Sequence, residues 1–447
     1  MRKLSVVFVA LALVVGFSVN AMAAQALFYS EKERLTTAPT KELEVYGSVR
    51  IGTYWITGDK ETNSPASATV TNDRNGTNHD DADLFWGLDD GSTRFGVRFK
   101  SGKIGANVEI RPRDQEQVGQ SGNTSLMRHW YGTYDMGFGT FLIGQTWTPT
   151  FNPICNECLL GGGGFLDGFG DMGGSARKAG MQMHMPMKSI NGLLKVALLD
   201  PGWRSNPDAV AVAGLPTAFT PAVPGVSYLG QNGLNPPIQG ALPANWNTVD
   251  LTLPAFEASL SAAFGPVSFM LRGGYNTFDI KNSVTDQTES IDSYLIAGDA
   301  TYSMGPFYLR GLLYWAQNLT SFGLQAPGSR SVYGFTPSLF TDASGAVQVE
   351  DTDNWGWFAV AGFKVNDMLS IEAGYGERHA EQDNPLLSVT NEDTHNAFVI
   401  FAPISITPAF VITPEVLIAD YDELTINNQT VDRGKQMAFG IYWRIDF

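Results

Sequence analysis

From Lys435 to Phe447 every second residue is large and apolar: Met437, Phe439, Ile441, Trp443, Ile445 and Phe447. Between them lie Gln436, Ala438, Gly440, Tyr442, Arg444 and Asp446. Neighbouring side chains of a β-strand point to opposite faces, so this stretch has one wholly apolar face and one that is charged, hydroxylated or nearly bare. The same period of two recurs upstream. In Thr93 to Lys100, Phe95, Val97 and Phe99 alternate with Arg94, Gly96, Arg98 and Lys100. In Ile104 to Arg113, Ala106, Val108 and Ile110 alternate with Asn107, Glu109, Arg111 and Arg113. Near the start, Val45, Gly47, Val49, Ile51 and Trp55 alternate with Tyr46, Ser48, Arg50 and Tyr54.

Turn chemistry divides the chain between such stretches. The spacing predicts sixteen strands, at about 43–57, 93–100, 104–113, 127–136, 140–147, 177–187, 193–199, 249–264, 267–280, 293–304, 307–318, 354–365, 369–378, 396–406, 410–422 and 435–447. Tight turns such as Ser101-Gly102-Lys103, Gly265-Pro266 and Asn366-Asp367 alternate with long loops. Asp250 and Thr252 fall on the wrong face unless Pro254 marks a bulge. A soluble all-β protein should carry polar outer faces, and a propeller should repeat at a fixed period. Neither fits. The prediction is an all-β fold: a transmembrane antiparallel β-barrel of about sixteen strands, with short periplasmic turns and long extracellular loops.

The N-terminus reads as an export signal over 1–23, with Arg2 and Lys3, an apolar run, and Ala21-Met22-Ala23 as the cleavage pattern. Residues 24–42 are expected to form a short periplasmic segment, and 43–447 the barrel. That leaves no room for the plug of an energised receptor. The net charge of −16 becomes −18 without the two leader cations, which argues against nucleic acid as a partner.

Barrels of this size leave an aqueous channel, and the inward rows read as mixed charge and small residues, a wet lumen. The narrowing is expected from the third long loop, at about 148–174, with Gly161-Gly162-Gly163-Gly164 and the acids Glu157, Asp167 and Asp171. Glycines let backbone run close to a wall. Facing it, a basic ladder of Arg50, Arg94, Arg98, Arg111, Arg113 and Arg128 would set up a transverse field; alternatively these arginines only solvate the lumen or pair with Glu109. Further inward charges follow from parity: Lys195, Arg272, Asp299, Arg310, Lys364, Glu372, Arg378, Glu415 and Arg444.

Other chemistry is set aside. Cys155 and Cys158 have redox spacing but no βαβ context, and Leu159 follows where haem attachment needs His. A local disulfide is the better reading in an exported chain. His79, His129, His184, His379 and His395 show no zinc spacing. His79 with Asp73, Asp80, Asp81 and Asp83 could bind a divalent cation at lipopolysaccharide, although such runs are more often solvated. No catalytic constellation, metal or cofactor is indicated.

Three segments carry a family resemblance: the C-terminal Gly440-Ile441-Tyr442-Trp443-Arg444-Ile445-Asp446-Phe447, the run Gly139-Thr140-Phe141-Leu142-Ile143-Gly144-Gln145-Thr146-Trp147-Thr148-Pro149, and Val45-Tyr46-Gly47-Ser48-Val49-Arg50. The chain resembles the general porins of Gram-negative outer membranes, most closely the homotrimeric type of sulfate-reducing bacteria. The resemblance implies a trimer with one pore per subunit, insertion by the machinery that reads a terminal Phe, and passive diffusion of ions and small hydrophilic solutes. The family commonly has Arg at the position of Gln145. A substrate-selective channel for an oxyanion or a sugar is the alternative; an outer-membrane enzyme or a purely structural barrel is less favoured.

Overall fold

Sixteen antiparallel staves close on themselves. The computed structural model describes residues 42–58, 83–88, 92–111, 126–152, 169–172, 177–201, 226–227, 248–251, 253–282, 285–322, 324, 338–341, 347–384, 388–420, 422–426, 429–432 and 434–447. The proposed leader and nearly all of 24–42 lie outside them. The staves are β1 (Glu42–Gly58), β2 (Arg94–Ser101, with Asp83–Leu88 above it), β3 (Ile104–Arg111), β4 (Leu126–Asp135), β5 (Thr140–Trp147), β6 (Arg177–Met187), β7 (Gly192–Leu199) and β8 (Ala255–Phe264, with Thr248–Asp250). Then follow β9 (Val267–Lys281), β10 (Thr288–Met304), β11 (Phe307–Gln317), β12 (Asp353–Lys364), β13 (Ser370–Asn384), β14 (Val389–Phe401, continued by Ile404–Thr407), β15 (Phe410–Asp420, with Glu423–Ile426) and β16 (Lys435–Asp446, with Gln429–Asp432). Each pairs with its chain neighbours, and β16 closes the ring: Phe439 faces Val416 of β15 on one side and Trp55 of β1 on the other.

The alternation fixes which face looks out. Leu43, Val45, Phe95, Trp130, Ile143, Ile296, Leu313 and Trp315 are exposed on the outside, while Ser48, Asn107, Glu109, Asp299 and Glu415 are buried within. The anomaly at Pro254 is a register slip. Asp250 pairs with Asp279 but Phe256 pairs with Tyr275, so residues 251–255 oppose only 276–278.

Several staves run further than the sequence pattern shows. β10 begins at Thr288, β13 continues to Asn384 and β14 begins at Val389. Outward positions there include Glu377, Glu381, Asp383 and Glu392. Outward side chains at that height are polar, so the apolar half of the alternation fades although pairing continues. Above the barrel, Val226–Ser227, Ser338–Thr341 and Val347–Glu350 form a small antiparallel sheet, and its last strand packs on β10 and β13.

The lumen departs from the expected wet wall on one side. Leu295, Leu312, Tyr314, Phe358, Val360, Val399, Phe401 and Leu417 point inward and pack with Phe169 and Met172, and with Leu319, Phe322 and Leu324. Two segments therefore fold into the barrel and bury an apolar core against β10–β15. Full burial of each large side chain contributes about 1.5–3 kcal/mol, which holds both segments inside.

Candidate channel constriction

Register brings basic side chains of β16, β1–β4 and β6 to one level. Arg444 faces Arg50, Ser48 faces Arg94, Gly96 and His129 flank Glu109, and Trp147 faces Arg177. A bulge in β4 sharpens the row. Glu109 pairs with His129 but Ile110 pairs with Met127, so Arg128 is extra, and Arg128 and His129 are both buried beside Glu109.

Glu109 is the hub. Arg128 Nε lies 2.6 Å from Oε1, His129 Nε2 3.8 Å from Oε1 and Arg94 Nε 3.8 Å from Oε2. The Tyr46 hydroxyl donates to Oε2 at 2.9 Å and lies 3.0 Å from Asn107 Oδ1. Arg50 Nε donates to Ser48 Oγ at 3.0 Å. The Arg177 guanidinium sits 3.5 Å above the Trp147 ring, and Trp147 stacks on Phe151 at 3.9 Å. Arg94, Arg111, Arg128 and Glu109 all lie within electrostatic range of Arg177. Arg98 stands apart. It pairs with Glu44 at 3.2 Å and lies 4.0 Å over the Tyr46 ring, four residues along β2 from Arg94 and so about 13 Å lower.

The loop that leaves β5 begins on this side and is carried to the other. The Thr150 amide donates to Glu257 Oε2 at 3.1 Å, and Arg272 donates to the Thr150 carbonyl at 2.7 Å. Asn152 donates to Asp299 at 3.1 Å, and Asp299 pairs with Arg272 at 2.7 Å. These contacts step across β8, β9 and β10. Gly170 then lies on β12 and β13: a Cβ there would meet the Trp357 carbonyl oxygen at 2.4 Å and Gly376 Cα at 3.0 Å, and its φ is +137°. Only glycine suits so close an approach.

A second inward segment, 318–324, was not foreseen from the sequence. The Asn318 amide donates to the Thr352 carbonyl at 2.8 Å. The Ser321 carbonyl accepts from Lys178 Nζ at 2.8 Å and Asn276 Nδ2 at 3.2 Å, and Ser293 Oγ donates to Ser321 Oγ at 2.8 Å. Polar ties to β6, β9 and β10 thus complement the apolar packing.

Of the constriction residues expected from sequence, Arg50, Arg94, Arg111 and Arg128 come together. Asp171 lies at the opposite wall, where it and Arg378 are both within electrostatic range of buried Tyr314. Arg113, Glu157, Asp167, Cys155, Cys158 and His79 lie outside the described residues. Gln145 faces outward with Ile143 and donates to the Met127 carbonyl at 3.0 Å, so its replacement of Arg leaves the row unchanged. Arg177, Trp147 and Tyr46 were missed as site residues; Trp147 and Arg177, two residues from outward Gln145 and Ala179, share their parity at the strand ends. Among the described residues no group of three His, Cys, Asp or Glu side chains is placed to hold a metal.

A closed sixteen-stave barrel with an apolar outside, a charged inner row and inward loops has the architecture of an outer-membrane channel. A sequence profile of Gram-negative porins matches residues 10–402, and the chain belongs to that family. Similar solved structures include the outer membrane channel DcaP of Acinetobacter baumannii, at 15% identity and a TM-score of 0.58, covering 94% of this chain and 99% of that one. The anion-selective porin from Comamonas acidovorans matches at 12% identity and a TM-score of 0.51, over 91% and 100% of the two chains. OmpF of Salmonella typhi, in complex with daunomycin, matches at 9% identity and a TM-score of 0.50, over 92% and 100%. These likenesses are of fold. No curated protein matches the sequence. The chain is an outer-membrane porin barrel.

Proposed function

We propose that the chain forms a water-filled pore for passive diffusion of ions and small hydrophilic solutes, working as a homotrimer with one pore per subunit. The observation that carries this is the sixteen-stave closure with a charged inner row that remains open to water: Arg50, Arg94 and Arg111 are partly exposed, as are Arg98 and Lys100 below them. A barrel of that size is too wide for its own side chains to fill. The constriction lies between the guanidinium row and the loop at about 148–174, to which Glu157 and Asp167 contribute charge and in which Cys155 and Cys158 form a local disulfide. The leader is removed after residue 23, so N-terminal sequencing of the outer-membrane protein should begin at Ala24.

The test is swelling of liposomes that hold the purified protein, in neutral sugars of rising size. Rates should fall smoothly with solute size and show no saturation. Absence of swelling with the smallest sugar would refute the diffusion reading. Unheated protein should migrate as an SDS-resistant trimer and as a monomer after boiling.

A further inference from the structure

The lumen wall has a covered half and an open half. On β12–β14 the inward side chains Phe358, Val360, Arg378, His395, Ala397 and Val399 are at most 1% exposed. Segment 169–172 lies on β12 and β13, and Leu319, Phe322 and Leu324 join the same apolar cluster from the β9–β10 side. On β16 and β1–β5 part of the charged row stays in contact with water, the Arg98 side chain being 52% exposed and that of Arg94 32%, although Ser48, Glu109 and Arg128 are buried. The water path therefore runs along the second wall, and its charge decides which ions follow.

That wall is strongly cationic. Arg50, Arg94, Arg111, Arg128, Arg177 and Arg444 face two carboxylates, Glu109 and Asp446. Glu109 is already engaged by Arg128 and Tyr46, and Asp446 by Arg444. Among the described residues Arg111 and Arg177 have no acidic partner, and the buried Nε of Arg177 has no hydrogen-bond partner. Trp147 holds Arg177 by the face of its guanidinium. A guanidinium held by its face keeps its N–H edge for an acceptor. Several guanidinium forks on one level suit a ligand with several anionic oxygens.

We infer that the part of the row at Arg111 and Arg177 is a binding station for small multivalent oxyanions, and that the pore prefers anions. This rests on the diffusion-channel reading and adds its substrate class. Removing one positive charge about 6 Å from an ion in water changes the local occupancy of a monovalent ion about threefold and of a divalent ion about tenfold.

The experiment records single channels of the full-length protein in planar bilayers, with sulfate as the probe. Wild type should give an anion-sided reversal potential in a KCl gradient, and added sulfate should reduce the chloride current. Arg177→Gln and Arg111→Gln should each weaken the sulfate block about tenfold while keeping the heat-modifiable trimer. A cation-sided reversal in a conducting wild-type pore would overturn the inference, because acids elsewhere would then govern the passage. Unchanged block in both folded variants would overturn the station. Either result leaves the diffusion reading standing; only a folded barrel without conductance sinks both.

Discussion

Gly170→Ala isolates how the first inward segment is seated. The new Cβ would lie 2.4 Å from the Trp357 carbonyl oxygen and 3.0 Å from Gly376 Cα, both backbone atoms of the barrel wall that cannot swing aside. A φ of +137° adds a cost of about 1–3 kcal/mol for an L-residue. To restore an ordinary separation the segment must lift by roughly 1 Å, which loosens the packing of Phe169 and Met172, now 4% and 1% exposed. Each buried side chain contributes about 1.5–3 kcal/mol, so complete release would cost more than the backbone strain alone. The barrel ladder itself does not pass through Gly170. The variant should therefore keep its folded, heat-modifiable barrel but show a changed conductance and flickering open-channel current. A quiet channel of wild-type conductance would refute the claim that this contact seats the loop.

Lys178→Met should destabilise by about 3–5 kcal/mol, because it leaves the buried Glu257 without the cation in its electrostatic range; adding Glu257→Gln should recover part of the loss in urea unfolding. Glu109→Gln removes the carboxylate that lies 2.6 Å from Arg128 Nε, and should move the reversal potential further to the anion side while lowering the yield of folded protein. At the extracellular rim, burial holds the Glu350 and Asp351 carboxyls above their usual range, aided in both by neighbouring acids. The folded rim binds more protons than the unfolded one there, so its stability is greatest below the unfolded value and falls as pH rises through the raised one. Proteolysis around 347–353 should accordingly be slower at pH 5 than at pH 8.

Much of the barrel was legible because lipid imposes one rule on every stave. Phe95, Val97 and Phe99, or Ile441, Trp443 and Ile445, announce their face whatever the tertiary context. The rule stops where lipid stops, which is why Glu381, Asp383 and Glu392 hid the upper parts of β13 and β14. Inside, parity turned Arg50, Arg94, Arg111 and Arg128 to one face, and the structure brings them near one another. It could not show that Arg128 sits in a bulge, because an extra residue is visible only against its partner strand. The covered half of the lumen had a faint signal. Leu312, Phe358, Val360, Val399 and Phe401 make their strands apolar on both faces, a pattern that requires something to lie on the inner one. What lies there, residues 169–172 and 319–324, comes from distant loops, and period-two reading carries no information about where a loop returns.

Single-channel recording across a range of voltages is the decisive test of an open, passive pore. Large current steps, linear in voltage and independent of any energy source, should appear and close in groups of three. Folded, trimeric protein that inserts into the bilayer and passes no current would contradict it.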